Sequence, residues 1–354
     1  MNHPNFRPEA RKGLIPGLAL LIAASFASML LAALFGPLDI PASKVFSIMG
    51  SALGLPLQPE APEAWKVVVL DIRLARILLS WLAGCALGVA GVVFQGILRN
   101  PLADPFTLGV SGGAAFGASM VIQLGLAGAG GVLSGLGIIP FAAMAGALAA
   151  LLAVIALSRS GGGLKRETMI LAGIVVSTFL SALISLVKSL DEDSVASIVF
   201  WIMGSFQGRG WGHLALMAPS LIIGLCAVLV LTRELDILSL GESQARQLGV
   251  NVSRTRLALL AGASLITGGA VAVSGVIGFV GLVVPHLARL FVGSESGPLL
   301  AVSGLAGGIL LVWSDVLAKT VLPGGAELPV GVVTALLGGP FFLFLLSRRR
   351  GEIL

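Results

Sequence analysis

The residues able to do chemistry are few and scattered. The histidines are His3, His213 and His286, and the cysteines are Cys85 and Cys226. A metal site or a disulfide framework draws its ligands together at short spacing, and these five show no such grouping. No Gly-Lys-Ser or Gly-Lys-Thr occurs, so no P-loop cradles a phosphate, and no His-Glu-x-x-His occurs. What remains is charge at a few places. Asp315 and Lys319 lie one helical turn apart, a spacing that allows an ion pair, and Asp315 stands close to the end of an apolar run. "DEDS" at 191–194 supplies an acidic start that suits a helix N-terminus. "NPLADPFTLG" at 100–109 and "SLGESQARQLG" at 239–249 are polar breaks in apolar surroundings. Such groups can pair, cap and dock; none of them forms a catalytic constellation.

The elements that must position these groups are membrane helices. Of the 354 residues, 56% are hydrophobic and only 11% charged, about half the charged share of a soluble domain. Uncharged apolar runs cover 14–36, 77–98, 105–158, 168–187, 210–232, 257–288, 296–314 and 328–347. About 20 apolar residues cross a bilayer as helix, and lipid-exposed backbone must bond within its own helix or a closed barrel. No barrel-like alternation is present. The run at 105–158 must turn back once, near the glycines at 125–137. The run at 257–288 fits one full helix and a short or broken return. Ten crossings result. The first run exceeds the apolar stretch of a cleavable signal and reads as a span.

Charge orients the chain. With the N-terminus in the cytoplasm, Lys44, Lys66, Arg73, Arg76, Lys188, Arg209 and Lys319 fall outside, and the other 15 of the 22 Lys and Arg residues fall inside. That asymmetry follows the positive-inside rule and puts both termini in the cytoplasm. The basic residues are spread over loops and form no stripe for nucleic acid. The 48 glycines include pairs four apart: Gly84 and Gly88, Gly109 and Gly113, Gly113 and Gly117, Gly304 and Gly308. Small residues at this spacing let helix backbones approach closely in lipid. The five tryptophans are expected near the outer ends of spans, as an interfacial belt.

Two polar segments have local signatures. At the first, Pro101 and Pro105 discourage continuation of the preceding helix, Asp104 can cap the next, and Pro105 suits its first position. At the second, within 234–256, a short surface helix is expected, with Ser239 and Glu242 as a capping box and Gly249 as C-cap. It reads either as a simple loop or as a helix that takes force from a partner. The chain carries no ladder of Asp, Glu or His through its spans, which argues against proton coupling. A motor, where there is one, belongs to another subunit. The alternatives are a secondary carrier working without an ATPase and a membrane anchor with no substrate path.

Eight stretches carry a family likeness. They are "IRLARILL" from Ile72, "LGVAGVVFQGILRNPLADPFTLGVSGGAAFG" from Leu87, "ILAGIVVS" from Ile170 and "WIMGSFQGRGW" from Trp201, then "LGESQARQLGV" from Leu240, "GVIGFVGLVVPHLARL" from Gly275, "SDVLAK" from Ser314 and "ELPVGVVTALLGGPFFLFLL" from Glu327. In these the sequence resembles the FecCD-type permease subunits of ATP-driven importers for iron-siderophores, haem and cobalamin. The likeness covers nearly the whole chain, in order.

The resemblance implies a single permease domain over 1–354. The fold would be all-α and polytopic: a ten-helix type II ABC importer bundle in the cell inner membrane, both termini cytoplasmic. It also implies a homodimer, two ATP-binding subunits on the cytoplasmic face and a periplasmic substrate-binding protein outside. ATP and Mg would belong to the partner subunits, with no cofactor in this chain. Arg73, Arg76 and Lys319 match outer cations that dock the binding protein, although Ala75 replaces a proline of the motif and Lys319 an arginine. Leu240, Gly241, Glu242, Ala245, Arg246, Leu248 and Gly249 match the ATPase-coupling segment, within a cytoplasmic loop at 234–256. Asn100, Pro101, Asp104 and Pro105 match an inner elbow. Asp191, Trp201, Gly204 and Ser205 fall in a periplasmic gate segment at 191–208.

Overall fold

The computed structural model describes residues 8–56, 61–126, 136–160 and 164–350, with side chains over 14–56, 61–126, 136–159 and 164–343. The basic residues Arg7, Arg11, Lys12 and Arg348 to Arg350, part of the expected inner set, lie outside the described residues or side chains. The chain is all-α where it is described. In order come α1 (Pro8–Ala32), α2 (Ala42–Ala52), α3 (Glu63–Val67), α4 (Ala75–Leu98), α5 (Val110–Gln123), α6 (Ile139–Ser160), α7 (Arg166–Leu190) and α8 (Glu192–Ile202). Beyond these lie α9 (Trp211–Val230), α10 (Thr232–Leu240), α11 (Glu242–Gln247), α12 (Val252–Ser274), α13 (Val280–Val292), α14 (Ser296–Thr320) and α15 (Val330–Arg350). A π-helical stretch, Val68–Leu74, joins α3 to α4, so 63–98 is one continuous rod.

Seven described helices are long and apolar enough to cross a membrane: Leu14–Ala32, Glu63–Leu98, Ile139–Arg159, Arg166–Leu190, Trp211–Val230, Val252–Ser274 and Ser296–Thr320. Val280–Val292 and Val330–Leu343 are shorter and apolar. The run at 105–158 splits into α5 and α6, between Gln123 and Ile139, and the run at 257–288 into one full helix, α12, and the short 13-residue α13.

The rods of α4 and α12 form the centre, with 78% of the residues buried in the most apolar stretch of each, while in α1, at the edge, 11% are. Glycine sets how closely the centre packs. A Cβ at Gly84 would stand 2.2 Å from the Gly307 carbonyl oxygen, and one at Gly88 2.3 Å from that of Ser303. Each step of four along α4 meets a step of four backwards along α14, so the two helices run antiparallel with backbones in contact. Gly113 and Gly117 meet Gly146 and Ala142 of α6 in the same way. On α14, Gly307 faces Gly84, while Gly308 lies against Trp81 and Cys85 of the same α4. Gly109 serves a turn as well as packing: it takes φ +75° between a 3-10 turn and α5, where a residue with a Cβ is strained, and a Cβ there would stand 3.3 Å from Val176 and Ser177 of α7. The tryptophan belt is also modified. Trp81 donates to Ser25 Oγ at 2.6 Å and Trp313 to Ser28 Oγ at 3.1 Å, so both indoles fasten α1 to the core.

Candidate functional site

The functional candidates gather at two ends of the bundle. At one end the continuous rod presents Arg73 and Arg76. The π-helical stretch that holds Arg73 widens the turn and re-aims the side chains after it, a device common at functional sites. Arg73 donates from Nη1 to the Ala33 carbonyl at 2.9 Å and from Nη2 to the Leu38 carbonyl, closing the C-terminal end of α1. Arg76 Nε donates to Asp315 Oδ2 at 2.9 Å and Oδ1 at 3.1 Å, and Nη2 donates to Oδ1 at 2.8 Å. Its Nη1 donates to Glu327 Oε1 at 3.0 Å and Nη2 to Oε2 at 2.7 Å. One planar fork therefore grips two carboxylates, one on α14 and one just before α15. Lys319 lies in the field of Asp315, Glu327, Arg76 and Arg73.

This arrangement corrects the local ion-pair reading. Asp315 does not close on Lys319 one turn away; it takes Arg76, 239 residues distant in sequence. An arginine offers a carboxylate a bidentate fork that an ammonium cannot, and α4 holds it at the right height. The Lys319 ammonium makes no hydrogen bond or ion pair among the described residues. Nor do the three cations stand out on an open rim: Arg73, Arg76 and Lys319 are 4, 8 and 6% exposed. Burying such charges is costly unless they are paired, which is what Asp315 and Glu327 do for Arg76. Sequence reasoning missed Glu327 as a site residue. Its signal was a lone carboxylate directly before a long apolar run.

Beside this cluster lies a cleft of 640 Å³ lined by Asp191, Trp201, Ser205, Arg209, Ser274 and Glu327, among others. Asp191 caps α8 by accepting from the Asp193 N–H. Gly204 takes φ +73°, and a Cβ there would meet the Val276 carbonyl at 2.6 Å. Ser205 N–H donates to the Ser274 carbonyl at 2.7 Å, stitching the segment to α12. Trp201 Nε1 and Arg209 Nε are buried donors without partners among the described residues. Arg209 Nη1 lies 3.0 Å from His213 Nε2, and burial pushes the guanidinium down from its ordinary value. The wall thus sets donors and carboxylates among apolar side chains such as Ile122, Ile139 and Phe200.

At the other end, the polar hinge is built as its residues prescribe. Asn100 Oδ1 accepts from Leu102 N–H at 3.0 Å. Asp104 Oδ1 accepts from Phe106 N–H at 3.0 Å and Thr107 N–H at 3.1 Å, while Thr107 Oγ1 accepts from Asp104 N–H at 2.9 Å. That is a reciprocal cap on the 3-10 turn Pro105–Leu108. Burial pushes the Asp104 carboxyl above its usual range, against the pull of the hydrogen bonds from Thr107 and Phe106. Pro101 comes just after Arg99, which ends α4 in the left-handed region at φ +45°.

The coupling candidates lie beside this hinge. The chain turns at Gly241 (φ +138°), forms α11 and turns again at Gly249 (φ +81°). Val250 N–H donates to the Ala245 carbonyl at 3.0 Å, so Gly249 closes the helix as expected. The expected capping box is absent. Ser239 belongs to the last turn of α10 and donates to the Asp236 carbonyl at 2.6 Å. Glu242 instead binds Arg256 Nη2 of α12 at 2.7 Å, and Arg256 Nη1 also donates to the Leu164 carbonyl. Ala245 is fully buried, whereas Leu240 and Leu248 are 60% and 62% exposed. An alanine Cβ at Gly241 would come 3.6 Å from Arg99 Nη1, which places the hinge and α11 side by side. The result is a rigid knob whose apolar tips face outwards. Among the described residues no three His, Cys, Asp or Glu side chains gather as a metal site.

The model of the FecCD transport family matches residues 20–348. The chain belongs to the FecCD transport family. This FecCD chain is 40% identical to an uncharacterised ABC transporter permease protein, YvrB, of Bacillus subtilis, over 94% of each chain. It is 42% identical to the cobalamin import system permease protein BtuC of Halobacterium salinarum, over 84% of this chain and 78% of that one. The hemin transport system permease protein HmuU of Yersinia pestis is 43% identical over 80% of this chain and 84% of its own. A solved structure described as an inward-facing conformation of a metal-chelate type ABC transporter shares 31% identity at a TM-score of 0.79, covering 96% of this FecCD chain and 99% of that one. The FecCD chain is thus a multi-pass membrane permease of the ABC-importer class.

Proposed function

We propose that this chain is the permease subunit of an inner-membrane ATP-driven importer for a bulky metal chelate: an iron-siderophore, haem or cobalamin. The full fold is a ten-crossing bundle, the seven long helices together with α5, α13 and α15, with both termini in the cytoplasm. Two copies form the conduit. Two ATP-binding subunits, which hold the nucleotide and its magnesium, sit beneath the end that carries 234–256. A periplasmic substrate-binding protein docks at the end that carries Arg73, Arg76 and Lys319. The segment 191–208 gates the outer mouth, and Asn100, Pro101, Asp104 and Pro105 form the inner elbow.

The observation that carries this reading is the α11 knob. Leu240 and Leu248 project into open space, while Ala245 and the Glu242–Arg256 pair fasten the helix to α12. A helix exposing apolar tips on a rigid base suits an apolar cleft in a partner, and through α12 it reaches the core of the bundle. Closure of the ATP-binding subunits would push α11, α12 would carry the motion, and the two mouths would open in turn.

The test is Glu242→Ala with Arg246→Ala in the reconstituted complex, reading subunit assembly and ATP-dependent chelate uptake. Arg246 is 70% exposed and faces the partner; Glu242 holds the knob in place. The expected result is weakened assembly and lost uptake. Unchanged assembly and uptake overturn the assignment. Full flux from the permease alone, with no ATPase bound, establishes the secondary-carrier alternative.

A further inference from the structure

The docking cations are occupied before any partner arrives. Arg73 serves backbone carbonyls at the end of α1. Arg76 commits Nε, Nη1 and Nη2 to Asp315 and Glu327, leaving no pair of parallel N–H groups for a third carboxylate. Of the three cationic groups, the Lys319 ammonium alone makes no bond within the described residues.

The two carboxylates differ in how firmly they are held. Asp315 sits inside α14, a 25-residue helix packed backbone to backbone on α4. Glu327 sits on the connection between α14 and α15, shortly after Gly324 and Gly325, both at positive φ, and is tethered by Leu328 N–H to the Ala318 carbonyl at 2.9 Å. Glu327 also lines the 640 Å³ cleft with Pro329 and Ser274. One side chain therefore joins the docking cluster to the wall of the cleft.

We propose that Glu327 is an internal stand-in for a carboxylate of the docking protein, and that docking exchanges one for the other on Arg76. This rests on the docking reading above. An arriving carboxylate meets Lys319 first, then takes Nη1 and Nη2 of Arg76, while Nε keeps Asp315 and so keeps α4 on α14. Glu327 is released, and its glycine-hinged connection moves with the head of α15, opening the cleft. Binding outside thereby reports to the mouth of the conduit through one exchanged ion pair. The partner surface this selects is acidic, with a carboxylate long enough to reach an almost buried guanidinium.

The experiment uses the permease with its ATP-binding subunits in nanodiscs and the cognate substrate-binding protein. The background is Cys85→Ala, Cys226→Ala and Ser274→Cys, which places a thiol in the cleft wall at a position only 1% exposed. Glu327→Gln is expected to bind the docking protein about tenfold or more tightly, because one charge-assisted pair no longer has to be broken. It is also expected to react several-fold faster with a water-soluble maleimide in the absence of partner. In the unaltered permease, adding the docking protein should produce that same acceleration. A Glu327→Gln permease that binds no more tightly, or a thiol whose rate the docking protein leaves unchanged, overturns the exchange.

Arg76→Gln with Asp315→Asn and Glu327→Gln retains a neutral, hydrogen-bonding cluster of similar shape and leaves no buried carboxylate charged without its partner. It should label fast and dock weakly. Parental docking in that variant refutes the docking reading itself; slow labelling refutes the exchange.

Discussion

Replacing Gly84 with alanine tests the α4–α14 seam and, through it, the geometry of the charged end. The new Cβ would stand 2.2 Å from the Gly307 oxygen and 2.6 Å from its carbonyl carbon. A carbon and a carbonyl oxygen rest at about 3.3–3.6 Å, so the helices must part by about 1 Å. Both obstructing atoms are backbone, so no side chain can turn aside. Overfilling a packed core costs about 1–3 kcal/mol. Arg76 stands two turns along the same seam, about 12 Å away at 1.5 Å per residue. A parallel separation would stretch its bonds to Asp315, now 2.8–3.1 Å, to about 4 Å. Weakening hydrogen bonds to a charged group adds about 1.5–3 kcal/mol, for a total of about 2.5–6 kcal/mol. The assay is equilibrium unfolding of the purified permease in bicelles. The control is Gly17→Ala on exposed α1, where nothing lies within 4 Å and alanine should be neutral or up to about 1 kcal/mol better. Equal midpoints for the two variants would refute the claim that backbone contact at this seam sets the helix spacing.

Two further outcomes concern the opposite end. Gly241→Ala places a side chain at φ +138° and its Cβ 2.3 Å from Gln244 Oε1, so α11 should be re-aimed. ATP-dependent uptake should fall severalfold with membrane insertion unchanged, and parental uptake would count against a fixed knob. Asp104→Ala removes the reciprocal cap at the elbow and should lower stability by about 1 kcal/mol, whereas Asp104→Asn, which can still accept, should lose less. Proteolysis at 99–109 reads the difference; equal cleavage in the two variants would argue against the cap.

Local features were legible because their causes are local. A run of apolar residues must be helix in lipid, whatever packs on it, so the spans, the turn between α5 and α6 and the break after α12 could be read from sequence. The elbow was readable for the same reason: Asp104 and Pro105 meet the needs of a helix start within four residues. The second capping box failed because Glu242 had a stronger partner in Arg256 of α12. Nothing within 239–249 records that competitor.

By itself, then, the sequence determined that the chain is a bundle of membrane helices, where its polar breaks fall and which family it is akin to. Tertiary structure alone decided who pairs with whom. Asp315 has Lys319 at helical spacing, yet binds Arg76, because the antiparallel register of α4 on α14 puts those two on one rung. Glu327 gained its place in the cluster from a connection that returns to the same rung, and from that place it also reaches the cleft. Register between helices is the sum of many weak contacts along their length, and no short stretch of residues contains it.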